Sequence, residues 1–183
     1  MYRTMKRLVA TVCVAVAVLT SSAAAPAQAD QASFADRAGD VGHPMDILRV
    51  TASTVSSGHQ LVVTVRHRAV TARNGAWSGL YIDATPGSAS PDFYLGGVVR
   101  GVYQLYRTDG WKVGARVGCS VGDYRFTFDT RADTTRFSLS RRCQDGTAVR
   151  PTRARVAAFA GVTGGRQDWA PGYHRYSRWL PLR

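Results

Sequence analysis

The residues best suited to chemistry in this chain are aspartates. Asp36 and Asp40 lie on either side of Gly39, and Asp46 follows just before an apolar run that opens at Ile47. Carboxylates and backbone carbonyls in a glycine-containing loop are the hard oxygen ligands that Ca²⁺ takes. The spacing is not that of an EF-hand, and the chain has no glutamate to close such a loop. The same side chains also suit turns, where an aspartate accepts hydrogen bonds from nearby backbone N–H groups. The residues alone support either an ion site or a capped loop.

Aromatic residues are the second group. Trp77, Trp111, Trp169 and Trp179 fall in or beside predicted loops, with Tyr173 and Tyr176 close to the last two. Sugar rings present apolar C–H faces that stack on flat aromatic surfaces, so loop tryptophans suit a glycan. The competing use for such side chains is to fill the core of a glycine-rich domain.

Catalytic patterns are scarce. His43, His59, His67 and His174 are scattered, and no pair has metal-ligand spacing. There is no G-x-S-x-G elbow, and the α/β framework that such an elbow needs is missing. Asp36, Asp40, Asp83 and Asp168 would supply a carboxylate pair for glycoside hydrolysis only if the fold gathered them. The glutamate base of many secreted ribonucleases is absent. The expectation is a non-enzymatic protein with no catalytic residue, an unrecognised secreted hydrolase being the third reading.

Arginine carries most of the positive charge, which is formally +12. Arg66 and Arg68, like Arg153 and Arg155, lie at i, i+2, the spacing that puts two side chains on one strand face. Arg100, Arg107, Arg116 and Arg125 are expected to extend that surface. Such a face would bind a phosphate-rich cell-wall polymer, extracellular nucleic acid or a protein partner, with strong salt dependence. Solubility, with arginine alternating on a solvated strand face, is the plainer explanation. No phosphate-loop motif is present, so no nucleotide cofactor is expected; nucleic acid is not the favoured partner.

Strands must position all of these groups. Leu48, Val50 and Ala52 alternate with Arg49, Thr51 and Ser53, and Leu61, Val63 and Val65 alternate with Val62, Thr64 and Arg66. With a Ser-Gly-His turn at 57–59 between them, these runs predict a hairpin. Leu80–Asp83, Phe93–Leu95, Val102–Arg107, Trp111–Val117, Tyr124–Asp129, Arg136–Leu139 and Arg155–Ala160 are further strand candidates. No segment sustains a helical period, and only Ser140–Cys143 suits a single helical turn. Short strands with a turn between each pair predict an all-β, single-domain antiparallel sandwich of about ten strands.

The start of the chain sets the compartment. Arg3, Lys6 and Arg7 precede an apolar run from Leu8 to Thr20, and small residues then lead to Ala27-Gln28-Ala29. This is the pattern of a secretory signal cleaved before Asp30, giving an extracellular protein over residues 30–183. The run is too short to span a bilayer. Removing 29 of 183 residues leaves 154 and lowers the charge by three, to +9. Cys13 leaves with the signal, and the remaining Cys119 and Cys143 are expected to pair in an oxidising compartment.

Asp36-x-x-Gly39-Asp40, followed by Asp46-Ile47 at the start of a strand, resembles the opening of the calcium-associated β-sandwiches. These are the family 9 carbohydrate-binding modules and the wider DOMON-like group. Tyr81-Ile82-Asp83 is similar to their strand-then-Asp segment, and Asp168-Trp169-Ala170-Pro171 to their Asp-x-Ala-Pro segment near the C-terminal end. The chain also resembles small secreted actinobacterial proteins with the same opening. The resemblance implies an immunoglobulin-like or jelly-roll sandwich, structural Ca²⁺ on Asp36, Asp40, Asp46 and Asp168, and glycan binding through paired aromatics. Trp77, Trp169 and Tyr173 are the residues to which that binding role is carried.

Overall fold

Side-chain alternation builds the strands. In β2 (Ile47–Val55), Val50 and Ala52 are buried while Arg49, Thr51 and Ser53 face outward. In β3 (Gln60–His67), Leu61, Val63 and Val65 are buried between Thr64 and Arg66. The two pair antiparallel, with Ala52 opposite Val63, as the period-two pattern predicts. The computed structural model describes residues 31–55, 59–71, 75–120, 122–144 and 152–182. The expected signal segment, and positions 57 and 58 of the predicted turn, lie outside the described residues.

The remaining strands are β1 (Gln31–Ala35), β4 (Trp77–Asp83), β5 (Phe93–Val98), β6 (Tyr103–Asp109), β7 (Lys112–Arg116), β8 (Tyr124–Asp129), β9 (Thr134–Ser140), β10 (Arg153–Gly161), β11 (Asp168–Ala170) and β12 (Leu180–Pro181). Twelve strands are therefore described, against about ten expected. β1, β11 and β12 are additions, and at three and two residues β11 and β12 are too short to show a period. The predicted helical turn is present as α1 (Arg141–Gln144), displaced by one residue. Ser140 Oγ caps it by accepting the Arg142 N–H at 3.2 Å.

One sheet has the order β1-β2-β3-β9-β8. The other runs β11-β10-β4-β5-β6-β7, with β12 also paired to β10. All pairings are antiparallel, and the two sheets make a β-sandwich. Val50, Leu61, Val63, Phe137 and Leu139 from the first sheet meet Leu80, Ile82, Phe93, Leu95 and Val156 from the second, all at most 1% exposed. Cys119 and Cys143 are bonded, with Cα atoms 5.5 Å apart, and tie the segment after β7 to α1. Closing a loop of that length contributes about 3–4 kcal/mol in the chain-entropy view. Among the described residues no helix is long and apolar enough to cross a membrane.

Candidate functional site

Asp36 follows β1 directly, its N–H bonded to the Leu48 carbonyl at 3.2 Å. The chain then turns through Gly39, whose φ of 85° strains any residue with a side chain. From the second sheet, β11 opens on Asp168. One carboxylate oxygen from each of Asp36, Asp40 and Asp168 lies within 4.8 Å of the other two. Asp168 is 2% exposed, and its Oδ2 accepts the Ile47 N–H at 2.5 Å. Burial pushes its pKa up to about 7; the Ile47 N–H opposes that rise, and the Asp36 and Asp40 charges add to it. Asp36 is also raised, chiefly by burial.

Asp46 does not join this group. It is fully buried, and its Oδ2 accepts the Gly39 N–H at 2.7 Å, so it pins the loop as a capping aspartate does. The capping role therefore falls to Asp46, while the carboxylates of Asp36, Asp40 and Asp168 converge. Asp46 Oδ1 and Asp36 Oδ2 are buried without a hydrogen-bond partner among the described residues. Converging carboxylates and orphaned buried oxygens call for a proton or a hard cation. The all-oxygen donor set of Asp36, Asp40 and Asp168 fits Ca²⁺.

The aromatics gather on the outer face of the second sheet. Register puts Trp169 opposite Phe159, Phe159 opposite Gly79 and Gly79 opposite Gly96. The neighbouring row runs Ala157, Tyr81, Tyr94, Tyr106. Glycine leaves space where rings approach the backbone. A Cβ on Gly79 would stand 2.6 Å from the Phe159 ring and 2.7 Å from the Tyr94 ring, and one on Gly161 would stand 2.7 Å from Trp77. The rings of Tyr81, Phe159 and Trp169 lie within 18° of parallel, with centroids 4.6–5.9 Å apart. Trp77 meets the other edge of Phe159 at 5.2 Å.

One end of this surface is covered. Trp111, at the β6–β7 turn, stacks on His174 at 4.3 Å and on Tyr176 at 5.0 Å, and its carbonyl accepts the Tyr81 hydroxyl at 2.9 Å. The other end is open. Trp77, Tyr94, Gly96, Gln104, Tyr106 and Val113 line a groove of about 350 Å³. Tyr173 is 68% exposed and sits edge-on to Trp169 at 5.2 Å. Trp77, Trp169 and Tyr173 are thus brought to one side of the sandwich. Trp77 opens β4 and Trp169 lies within the three-residue β11, each beside a loop, and both are half-buried. Trp179 stands apart, engaged by Arg153 and Arg155 at 4.8 Å each.

Tyr81, Tyr94, Tyr106, Phe159 and the glycines were not expected to form a site. Their signal was present in the alternation Trp77-x-Gly79-x-Tyr81 and Tyr94-x-Gly96, which places aromatics and glycine on the face opposite Leu80, Ile82 and Leu95.

The histidines have separate structural settings. His67 is 1% exposed, held at 3.2 Å from the Met45 carbonyl and 2.8 Å from the Thr135 hydroxyl. Burial pushes its pKa down to about 4. His43 Nε2 lies 2.7 Å from the Arg166 carbonyl, His174 is in the aromatic stack and His59 is exposed. The expected single arginine surface is divided. Arg66 and Arg125 face out from the first sheet, Arg68 lies beyond the end of β3, and Arg107, Arg116, Arg153 and Arg155 belong to the second sheet. Arg155 is spent on Asp83 at 2.7 Å, with the Tyr176 ring 4.3 Å away. No protein-family model matches the chain, and no curated protein matches it either.

Proposed function

We propose that the protein is a secreted, non-catalytic binder of an extracellular or cell-wall glycan, and that the outer aromatic face of the second sheet is its recognition surface. The observation that carries this reading is the outer-face array of half-buried Trp77, Tyr94, Tyr106 and Trp169, packed around the buried Phe159, beside an open groove. The rings form a second hydrophobic cluster about buried Tyr81 and Phe159, and the partly exposed rings at its margin are where a sugar's C–H faces would stack. The kinship with DOMON-like and family 9 carbohydrate-binding sandwiches belongs to the same proposal. Ca²⁺ on Asp36, Asp40 and Asp168 is its structural element. Asp168 adjoins Trp169 in β11, so an ion there fixes the strand that carries one edge of the platform.

The test is retention on a panel of immobilised glycans in high salt, which screens charge contacts but leaves ring stacking intact. Trp77→Ala and Tyr106→Ala should each weaken binding about 2- to 12-fold, the range expected for one aromatic contact. Retention that both variants keep in full would remove the aromatic face from the proposal.

A further inference from the structure

We infer a second ligand surface on the opposite side of the sandwich, where a row of four arginines across the first sheet takes a linear polyol-phosphate polymer. Arg49, Arg66, Arg136 and Arg125 all lie at exposed outward positions of β2, β3, β9 and β8. Register fixes their arrangement. Arg49 stands directly opposite Arg66. Arg66 pairs with Thr134 and Arg136 with Thr64, so Arg136 is the diagonal neighbour of Arg66. Arg136 in turn pairs with Thr127 and Arg125 with Ser138, which continues the same diagonal. Diagonal neighbours on a sheet are about 7–8 Å apart. With strands about 4.8 Å apart, the line from Arg49 to Arg125 is roughly 20 Å long.

This arrangement has a cost that the fold leaves uncompensated. Like charges directly opposite on adjacent strands destabilise a sheet. Among the described residues the ion pair is Arg155–Asp83, on the other sheet. Arg49 Nη1 donates to the Ser33 hydroxyl at 3.1 Å rather than to a carboxylate. Asp129, at a corner of this face, has its Oδ1 accepting the N–H groups of Arg131 and Ala132. Four unpaired guanidinium groups in line are complementary to a row of phosphates, which they bind bidentately.

The neighbours narrow the polymer. Thr51, Thr64, Thr127, Thr134 and Ser138 line the row with hydroxyl groups that match a hydroxylated backbone between phosphates. No aromatic side chain stands at an outward position of β2, β3, β8 or β9; Phe126 and Phe128 of β8 and Phe137 of β9 point to the core. Single-stranded nucleic acid depends on such rings to stack its bases, and a flat sheet does not enter a duplex groove.

The experiment measures affinity for a synthetic glycerol-phosphate oligomer as a function of salt. Neutralising four phosphates should give roughly a 50-fold loss of affinity between 50 and 200 mM salt. Arg66→Gln/Arg136→Gln should lower affinity at least about tenfold and flatten the salt dependence by about two charges. Lys112→Gln/Arg116→Gln, on β7 of the other sheet, removes the same charge and should change affinity less than about twofold. Arg66→Gln should also raise the melting temperature by relieving the Arg49 contact. Equal losses in both double variants, salt-independent binding, or oligo(dT) bound as tightly through the same arginines would each overturn the proposal. Trp77→Ala should keep this binding and the arginine double variant should keep glycan binding, so failure on one face is distinct from failure on the other.

Discussion

Substituting Gly79 by alanine tests how the aromatic surface is built. The new Cβ would lie 2.6 and 2.7 Å from two Phe159 ring atoms and 2.7 Å from a Tyr94 ring atom. Ordinary carbon contacts need about 3.5–4.0 Å, so both rings must move by about 1 Å. Neither is free to move cheaply. Phe159 is stacked on Trp169 at 4.6 Å and on Tyr81 at 5.2 Å, and Tyr94 packs against Tyr81 at 5.3 Å. Overpacking of this kind costs about 1–3 kcal/mol, less the roughly 0.5–1 kcal/mol that alanine gains over glycine in strand backbone. A net loss of about 0.5–2 kcal/mol follows, which at a slope of about 2 kcal/mol per molar is roughly a 0.25–1 M drop in the urea midpoint. Glycan affinity measured on the folded fraction should fall with it, because the displaced rings are the proposed binding surface. Gly118→Ala is the control, since nothing lies within 4 Å of its Cβ position. A Gly79→Ala midpoint and affinity equal to those of the Gly118→Ala protein would refute the ring arrangement.

Other expectations follow from the acidic loop, His67 and the disulfide. Ca²⁺ at about 100 times its dissociation constant should stabilise the protein by about 2.7 kcal/mol, and Asp40→Asn should reduce that gain; identical melts in Ca²⁺ and EDTA would remove the ion. His67 has a folded pKa of about 4 against 6.5 when unfolded, so the unfolded chain binds the extra proton between those values. Stability from this group is therefore complete above pH 6.5 and lost as the pH falls toward 4, by about 3 kcal/mol. Subtracting the denaturation profile of His67→Gln from that of the wild type isolates it from the carboxylates, and a flat difference across that window would contradict the assignment. Cys119→Ala/Cys143→Ala should lower stability by about 3–4 kcal/mol in calorimetry, and an unchanged melting temperature would show that the bridge adds nothing.

Strand identity was legible where burial is one-sided. Val50, Ala52, Val63 and Val65 alternate with outward polar residues, and β2 and β3 follow from that alone. β9 extends to Thr134 because Thr134 and Thr135 pair with Arg66 and Val65, which an apolar pattern does not mark. What the sequence leaves open is which strands share a sheet. Arg66 and Arg155 look alike as members of i, i+2 pairs, yet one faces solvent on the first sheet and the other is bound to Asp83 on the second. The acidic site was partly legible for the same reason. Asp36, Asp40 and Asp46 are close in sequence, but only pairing of β11 with β10 brings Asp168 to them and leaves Asp46 as a loop anchor. Trp77 and Trp169 suggested loops because short strands beside glycine carry little period, and their common face comes from the register of β4, β10 and β11.

The glycan-binding reading stands or falls on one measurement: retention of the wild-type protein and of Trp77→Ala/Tyr106→Ala on an immobilised glycan panel in about 0.5 M salt, where the Debye length is only about 4–5 Å. The predicted result is salt-resistant retention of the wild type on at least one glycan, lost in the folded double variant. Retention on none, or equal retention of both proteins, would contradict it.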